Sequence, residues 1–401
     1  MIKGYDIVIV GQQPWDTEIG SNCKDIALEL SKHNRVLYVN SPLDRITIVK
    51  GREDSKIQKR LNNIKKNKVD LHCVQDNLWS FYPNCVVESI NWISSNFLFN
   101  IFNKRNNKKF SKSILEAIQA LNFKSFILFN DNEIFKAFYL KAYLMPELSI
   151  YYSRDYMLGV DYWRRHGSIL EPKLIAQSDL CFTNSEFLAE YCRKFNTETY
   201  NVGQGCEFES LINFPRNAEP KFGPERSTII GYVGSLNSAR LSLEIISSIA
   251  ESFPHFTIVL VGQEDEVFKK SSLHSYPNVL FVGRKGVDEL PSYINSFDVC
   301  INPQLVNEIT IGNYPRKIDE YLAMGKPVVA TNTKTMSIFK DYVYLAESPQ
   351  DYCRLIRRAI EENTSILEKQ RIDFASSHTW KKSVEEMSLH ITNKLFNKYP
   401  K

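Results

Sequence analysis

The sequence lacks most of the short patterns that identify common classes of protein. Its eight cysteines form no Cys-x-x-Cys pair, and its seven histidines form no His-x-x-x-His or His-Glu-x-x-His pattern. This disfavours a structural zinc site and a metalloprotease. No apolar run reaches membrane-spanning length, and the N-terminal apolar run is too short for a signal peptide. We therefore expect a cytoplasmic protein with reduced, mostly buried cysteines.

Two common nucleotide-binding motifs are also missing. No Gly-x-Gly-x-x-Gly follows the first apolar run, and no Walker A sequence occurs, which argues against an ordinary dehydrogenase or a P-loop NTPase. The first run is instead followed by GQQPWDTEIGSN (11–22), in which Gly20, Ser21 and Asn22 stand where a loop enters a helix. Free N–H groups there favour an anion, although the same residues could serve only as a helix cap.

Two successive series of short apolar runs alternate with helix-length amphipathic segments. Such nearly continuous runs are typical of parallel strands buried on both faces. The pattern predicts an α/β protein with two doubly wound parallel-sheet domains, 1–205 and 206–379, joined near residues 203–206 and followed by a loop at 213–224. Strands are predicted at 6–11, 35–40, 124–130, 148–153, 180–184, 228–234, 256–262, 278–283, 299–303, 327–332 and 342–346, and helices at 22–33, 132–144 and 185–195.

The positive charge lies in the first half, with 27 basic against 22 acidic side chains in 1–205 and 23 against 24 in 206–401. Segment 45–68 holds nine Lys or Arg against two acids, with Ile57, Leu61 and Ile64 at helical spacing. In segment 90–112 the spacing predicts a helical stripe of Ile90, Ile93, Phe97 and Ile101, and a cationic cluster follows it. Two interpretations stay open: ordinary surface helices, or a patch that binds an anionic membrane surface. Nucleic acid is disfavoured because no recognised module accompanies the charges. The residues of segment 90–112 are Ile90, Trp92, Ile93, Phe97, Leu98, Phe99, Ile101, Phe102, Lys104, Arg105, Lys108, Lys109 and Lys112.

A polar stretch in the second half, EITIGNYPRKIDEYLAMGKPVVATN (308–332), precedes a helix and then a strand. Arg316 and Lys317 at a helix entrance would suit a diphosphate, because amide donors and positive charge coincide there. Glu320 follows Lys317 by one turn, close enough to bind a ribose. The alternative is a Lys317–Glu320 pair on a solvated helix.

These residues also carry a resemblance to a known family. GYVGSLNSARLSLEII, VGQED, NVLFVGRKGVDELPSYINSFDVCINP and YPRKIDEYLAMGKPVVAT resemble the donor half of family-4-type retaining glycosyltransferases with the GT-B fold. The phrase P-x-K-x-x-E-Y-L-A-x-G-K-P-V-V (315–329) is similar to a subgroup that includes a teichuronic-acid-biosynthesis glycosyltransferase. GQQPWD, YYSRDYM, LCFTNSEFLAEY and GQGCEF resemble the same subgroup. The resemblance implies two Rossmann-like domains facing a cleft, with residues 380–401 crossing back to an acceptor-binding first domain.

The resemblance assigns the donor site residue by residue. It implies that Glu320 binds the nucleotide ribose and that Lys317 and Arg240 neutralise the donor diphosphate. One departure concerns the usual Glu-x7-Glu pattern, because Gly312 stands eight residues before Glu320. Asn313 or Glu308 would then grip the sugar hydroxyls. The remaining implied positions are Gly234 and Ser235 beside the phosphates, and Gly283 and Arg284 beside the base.

The catalytic groups are less well marked. Many relatives have a histidine at the end of the strand that here reads LSIYYSRD, whereas this sequence offers Asp155, with His166 farther along. Either group could accept a hydrogen bond or a proton from an acceptor hydroxyl. The alternatives are a turn cap for Asp155 and an ordinary loop histidine for His166. Cations and N–H groups would stabilise the leaving diphosphate, so neither a metal nor a cofactor is expected.

The resemblance thus implies a retaining glycosyltransferase. It would move a sugar from a nucleotide-diphosphate-sugar to a saccharide acceptor, lipid-linked and destined for cell-surface polysaccharide, at the inner face of the plasma membrane. Two alternatives stay open. One is a sugar-nucleotide epimerase or hydrolase on the same fold, which would need no acceptor. The other is an inactive sugar-nucleotide-binding partner subunit, motivated by Gly312.

Overall fold

The chain divides into two compact units, Met1–Gly203 with Ser383–Lys401, and Gln204–Lys382. The computed structural model describes residues 1–17, 20–66, 68–215, 220, 222 and 227–398. Parts of the predicted loops 11–22 and 213–224, and residue 67 of the basic segment, lie outside the described residues.

The first unit is built on an eight-stranded sheet in the order β10-β9-β8-β7-β1-β2-β5-β4. Its central strands are rich in Val, Ile, Phe and Tyr and are buried at every position, as expected of parallel strands covered on both faces. The exception is β4, an exposed antiparallel edge strand that pairs with β5. The strands of this unit are β1 (Asp6–Val10), β2 (Arg35–Val39), β3 (Leu43–Asp44), β4 (Asp70–Gln75), β5 (Leu78–Tyr82), β6 (Val86–Val87), β7 (Phe126–Asp131), β8 (Leu148–Ser153), β9 (Leu180–Thr183) and β10 (Thr199–Asn201). Of these, β3 and β6 form a separate two-stranded parallel sheet.

Two predictions about helices in this unit are wrong. Of the helix predicted at 132–144, only residues 140–144 are helical. Asn132 takes a left-handed conformation (φ 54°) and starts a series of turns that precedes them. Ile90 and Ile93 precede the long helix and are buried, so they form no stripe with Phe97. The helices are α1 (Asn22–Ser31), α2 (Arg45–Lys50), α3 (Ser55–Lys65), α4 (Asn96–Ala120), α5 (Leu140–Leu144), α6 (Asp161–Gln177) and α7 (Glu186–Arg193).

The second unit has a six-stranded, wholly parallel sheet in the order β13-β12-β11-β14-β15-β16. Two clusters of buried apolar side chains pack with this sheet. The strands are β11 (Ile229–Val233), β12 (Thr257–Val261), β13 (Val279–Gly283), β14 (Val299–Asn302), β15 (Val328–Thr331) and β16 (Tyr344–Ala346). The helices are α8 (Phe208–Ile212), α9 (Leu243–Ser252), α10 (Glu266–Lys269), α11 (Leu290–Asn295), α12 (Lys317–Ala323), α13 (Pro349–Glu361) and α14 (Ser365–Ala375). The last helix, α15 (Trp380–Lys398), begins in this unit and belongs to the first unit from Ser383 onward.

The strand orders locate the places where a ligand would bind. Open α/β sheets bind ligands beyond the carboxyl ends of their strands, where the strand order reverses. In the first unit the order reverses between β1 and β7, and in the second between β11 and β14. Across the described part of the chain, the structure contains no helix that is both long and apolar enough to cross a bilayer.

Candidate functional site

The loop after β11 brings backbone close to a positive charge. Gly234 has φ +143°, and its N–H donates to the Val261 carbonyl at 2.9 Å. A Cβ at this position would lie 2.9 Å from the Tyr232 hydroxyl and 3.0 Å from the Lys317 ammonium. Glycine therefore permits both the backbone conformation and this close approach. Ser235 follows at an exposed position.

The side chain of Lys317, the first residue of α12, is held in place by a residue of strand β11. Its ammonium donates a hydrogen bond to the Tyr232 hydroxyl at 2.8 Å and lies 4.5 Å from the centre of that ring. The hydroxyl in turn donates to the Ser235 carbonyl at 3.2 Å. A cation fixed beside a glycine backbone at the carboxyl edge of the sheet can receive an anionic group.

Glu320 pairs with a different cation from the one that the sequence suggested. The alternative of a Lys317–Glu320 pair is wrong, because Arg316 Nε donates to Glu320 Oε1 at 3.1 Å. The Arg316 and Glu320 side chains are 22% and 23% exposed, so both remain accessible. The Arg316 guanidinium also lies 5.8 Å from the centre of the Trp380 ring. Arg316 thus holds the carboxylate that the resemblance assigned to ribose.

The other implied donor residues follow strands of the same sheet, whose carboxyl ends share one edge. Arg240 is exposed, and its carbonyl accepts from the Leu305 N–H at 2.8 Å, which attaches its loop to the segment after β14. Arg284 is exposed directly after Gly283, which has φ +76°. Asn313 is half-buried. The structure thus gathers these loops at one edge of the sheet.

The segment between β14 and α12 is organised by a residue that the sequence analysis missed. Thr310 is fully buried, and its hydroxyl contacts the Leu305 carbonyl and accepts from the Asn307 N–H at 3.1 Å. Gly312, in place of the usual glutamate, is buried, whereas Glu308 is exposed. These internal bonds hold the segment in which a sugar-binding group would be expected.

A contact between a buried aspartate and a histidine, next to Glu320, was also missed. Asp319 is fully buried, and its Oδ1 lies 3.0 Å from Nδ1 of His378. Burial raises the pKa of the Asp319 carboxyl, although the contact with His378 opposes this effect. The contact connects α12 to the segment just before α15. Among residues that the structure describes, no group of three or more His, Cys, Asp or Glu side chains is arranged to hold a metal ion.

In the first unit, Arg154 forms the centre of a polar network at the carboxyl ends of β1, β7 and β8. Its guanidinium donates to Asp131 Oδ1 and Asp155 Oδ2, both at 2.8 Å, and to Gln12 Oε1 at 3.2 Å. Burial lowers the pKa of Arg154, but the two carboxylates outweigh it and the net shift is upward. Arg154 therefore stays charged and positions the Asp155 carboxylate, which is 33% exposed.

Asn132 holds the backbone of this network. Its Oδ1 accepts from the N–H groups of Arg154 and Asp155, both at 3.1 Å, and its Nδ2 donates to the Tyr151 hydroxyl at 2.8 Å. Neither Asp131 nor Asn132 was singled out from the sequence: Asn132 fell in the predicted helix 132–144, and Asp131 is the last residue of β7. A usable signal was the polar run NDN (130–132) after the apolar residues of β7.

The loop that enters α1 contains an unusual cap. Ser21 occupies the N-cap position, yet its side chain makes no capping hydrogen bond to the helix. Its hydroxyl is buried and has no hydrogen-bond partner among the described residues. The interpretation of this loop as a plain side-chain cap is therefore not supported. Gly20 before it is exposed and Asn22 after it is half-buried.

His166 lies in the core of the first unit, outside the Arg154 network. The residue is 1% exposed, and its ring stacks on Phe99 with 3.8 Å between the ring centres. Its Nε2 lies 2.8 Å from the Ile93 carbonyl oxygen, and its Nδ1 lies 3.0 Å from Asn96 Oδ1. Burial lowers the pKa of this imidazole. Because both ring nitrogens have partners, this geometry favours a structural role.

Comparison with known proteins connects the second unit to a family. Residues 227–362 match the family model described as "Glycosyl transferases group 1". Over 230 residues the chain is 27% identical to TuaH of Bacillus subtilis (strain 168), a protein provisionally named as a teichuronic acid biosynthesis glycosyltransferase. This match covers 52% of the chain and 56% of that protein, so it spans little more than half of the curated relative. The resemblance predicted for the second half is confirmed.

Solved structures show the fold of the whole chain. Sucrose-phosphate synthase of Thermosynechococcus elongatus has a TM-score of 0.68 at 14% identity, over 98% of this chain and 100% of that one. HepE of Anabaena, in complex with UDP and glucose, has a TM-score of 0.63 at 14% identity, over 97% of this chain and 100% of HepE. The α,α-trehalose 6-phosphate synthase of Burkholderia multivorans has a TM-score of 0.64 at 8% identity, over 98% of this chain and 97% of that synthase. The chain has the GT-B fold, as predicted.

Proposed function

We propose that the protein is a glycosyltransferase that transfers a sugar from a nucleotide-diphosphate-sugar to a saccharide acceptor of cell-surface polysaccharide. The observation that carries this proposal is the Lys317 ammonium held against Gly234 where the strand order of the second sheet reverses. The family match over 227–362 and the name of the Bacillus relative support sugar transfer. The complex of HepE with UDP and glucose supports a nucleotide sugar as donor.

The donor roles follow from charge and access. Lys317 and Arg240 neutralise the diphosphate, and the Gly234–Ser235 backbone approaches it closely because no side chain intervenes at residue 234. Glu320, oriented by Arg316, accepts hydrogen bonds from the ribose hydroxyls. The segment at Gly283 and Arg284 lies beside the base.

The reaction needs little from the protein beyond positioning and charge. The bond between the anomeric carbon and the diphosphate oxygen breaks, and a bond from that carbon to an acceptor hydroxyl oxygen forms. Lys317 and Arg240 stabilise the diphosphate as it leaves. Asp155, held by Arg154, accepts the hydroxyl proton. Attack from the side of the leaving group retains the anomeric configuration.

One observation favours a second candidate, a sugar-nucleotide-binding subunit without activity. The usual first glutamate is replaced by Gly312, which is buried and offers no carboxylate. Such a protein would bind the nucleotide sugar through the Lys317 region and transfer nothing.

The test combines nucleotide binding with turnover. Isothermal titration with UDP, GDP, ADP and their sugar conjugates should identify one base that binds. Lys317→Ala should weaken binding, whereas Lys340→Ala, at an exposed position of the same unit, should not. Product analysis with the preferred donor and a saccharide acceptor should then show transfer. Binding without turnover would favour the inactive subunit, and donor breakdown without an acceptor would favour a hydrolase or epimerase.

A further inference from the structure

A group of large apolar side chains is exposed on one face of the first unit, which we call the apolar rim. Its most exposed members are Trp92 and Phe97, at 72% and 73%. The Trp92 indole N–H donates to the Ser89 carbonyl at 2.8 Å, and the Ile46 N–H donates to the Ser89 hydroxyl at 3.0 Å, so α2 and the segment before α4 are attached. Monomeric soluble proteins rarely expose large contiguous apolar patches. The apolar rim comprises Ile46, Val49, Trp92, Phe97, Leu98, Ile101 and Phe102.

The rim is smaller than the membrane patch that the sequence suggested. Phe99 is buried against His166, and Ile90 and Ile93 are buried as well, so none of the three can contact a membrane. The three apolar residues of α3 are half-buried. Among the described residues of segments 45–68 and 90–112, the exposed large apolar side chains lie on α2, at Trp92 and on the first turns of α4.

A basic band follows the apolar rim along α4. Residues 90–115 contain five Lys or Arg and no Asp or Glu. Lys109 is half-buried and lies 3.9 Å from Glu88, whereas the other four cations are exposed. We call these four the basic band: Lys104, Arg105, Lys108 and Lys112. Apolar side chains followed by charges of one sign suit the boundary between an anionic leaflet and water.

A groove of about 780 Å³ opens beside the rim. Ile46, Trp92 and Tyr162, all substantially exposed, contribute to its lining. Gln12 also lines it, and the side chain of this residue accepts from Arg154, so the groove reaches the network that holds Asp155. Its volume lies within the range of small-molecule sites.

The inner wall of the groove is polar. Asn103 is 1% exposed, and its Nδ2 has no hydrogen-bond partner among the described residues. Asn91 also lines the groove, and its Oδ1 is buried and has no hydrogen-bond partner in the same part of the chain. Burial raises the pKa of Asp44, but hydrogen bonds from Thr47 and the charge of Lys136 bring the net shift below the ordinary value, so Asp44 stays ionised. Unused buried donors and acceptors are costly, and sugar hydroxyls would satisfy them.

We propose that the apolar rim and the basic band dock on an anionic lipid bilayer, and that the groove takes the saccharide head of an acceptor whose lipid stays in the bilayer. The identity of the head as a saccharide rests on the proposed function. Each cation near an anionic leaflet contributes about 1 kcal/mol, so four can hold the protein at the surface. The apolar rim adds a part that is insensitive to salt.

Cosedimentation with vesicles tests the docking. The protein should bind phosphatidylcholine vesicles that contain phosphatidylglycerol and ignore pure phosphatidylcholine. Lys104→Gln, Arg105→Gln and Lys108→Gln together should weaken binding at least about tenfold. Phe97→Ser with Ile101→Ser should remove the part that survives high salt. As matched controls, Met145→Ser and the combination Lys270→Gln, Lys340→Gln and Lys369→Gln, all exposed, should bind as the native chain does.

Tryptophan quenching tests which residues enter the bilayer. Vesicles with brominated acyl chains should quench the native protein, and Trp92→Phe should lose that quenching. Unquenched fluorescence, or full vesicle binding by the basic-band variant, would overturn the docking. A changed oligomeric state of the Phe97→Ser, Ile101→Ser variant with unchanged vesicle binding would assign the face to a protein partner instead.

An alkyl glucoside below its micelle concentration tests the groove. Asn103→Leu should abolish its binding, and Lys136→Met, a milder change in the same lining, should weaken it about tenfold, while vesicle binding persists in both. Equal glucoside affinity in the native chain and Lys136→Met would refute the groove assignment. Nucleotide affinity, measured separately, reports on the proposed function alone. Vesicle binding without nucleotide binding would therefore contradict the proposed function and leave the proposal of membrane docking intact.

Discussion

The Lys317 ammonium donates to the Tyr232 hydroxyl at 2.8 Å and lies over the same ring. The two residues are 85 positions apart in the sequence. Their contact connects α12 to strand β11, where the strand order of the sheet reverses. This contact fixes a positive charge beside the Gly234 backbone.

Lys317→Ala should weaken nucleotide-diphosphate binding about 10- to 150-fold, because a hydrogen bond to a charged group contributes about 1.5–3 kcal/mol. The thermal midpoint should hardly change, since Lys317 is only half-buried. Tyr232→Phe keeps the ring and removes the hydroxyl, so its loss should be smaller. Titration calorimetry measures both variants, and Lys340→Ala is the control. Native affinity in Lys317→Ala would exclude this residue from the donor site.

Gly234→Ala should impair donor binding more than folding. The new methyl group would lie 3.0 Å from the Lys317 ammonium and displace it, and the φ of +143° adds strain. We expect a loss of about 1–2 kcal/mol in the free energy of unfolding and a larger loss in nucleotide affinity. Gly4→Ala, at φ +77° with open space around it, carries the strain without the displacement. Equal nucleotide affinity in the two variants would contradict the close approach.

Asp155→Asn should separate chemistry from binding. The change keeps the size of the side chain and removes the basicity that a proton acceptor needs, so transfer should fall about 100-fold or more. Nucleotide affinity should stay near native. Asp76→Asn is the matched control, because this aspartate of the same unit is exposed in the turn between β4 and β5. Native transfer rates in Asp155→Asn would make this residue structural.

Glu171→Gln should change the pH dependence of stability. Burial raises the pKa of Glu171 from 4.5 to about 7, although hydrogen bonds from Tyr151 (2.7 Å) and Tyr191 (3.2 Å) oppose the shift. The folded chain thus binds this proton more tightly than the unfolded chain, so stability falls as pH rises from about 4.5 to about 7. The side chain in the variant cannot ionise. Above pH 7 the native chain should therefore lose up to about 3 kcal/mol in the free energy of unfolding that the variant does not lose. Denaturant unfolding at about pH 5 and pH 8 measures the difference; parallel pH profiles would refute it.

His166→Ala should lower stability and leave the transfer rate of the folded protein near native. The substitution removes the stack on Phe99 and both ring contacts. Because burial lowers the pKa of His166, the unfolded chain binds the proton more readily, and native stability should fall as pH drops below about 6.5. The variant should lack this part of the acid sensitivity. A stable variant without transfer activity would restore His166 as a catalytic candidate.

Much of the architecture could be predicted because it depends on local pattern. Each predicted strand of the second half coincides with an observed strand within two residues, since uninterrupted Val, Ile and Leu runs are stable only when buried on both faces. The edge strand β4 was missed because its exposed, polar residues carry no such pattern. The region of Arg316, Lys317 and Glu320 was singled out because its cations and carboxylate are close in sequence, and its role in donor binding stays a prediction.

The sequence by itself determined two doubly wound domains, the GT-B fold and the cluster of two cations and a carboxylate at the start of α12, because apolar runs and short motifs are local. The tertiary structure decided which side chains pair. It placed the Lys317 ammonium on the Tyr232 hydroxyl and paired Glu320 with Arg316. It also connected Asp155 to Arg154, Asp131 and Asn132 in one hydrogen-bond network. It also buried His166 on Phe99. These outcomes depend on which strands become neighbours and which helix face packs inward, and both are settled by contacts between residues far apart in the chain.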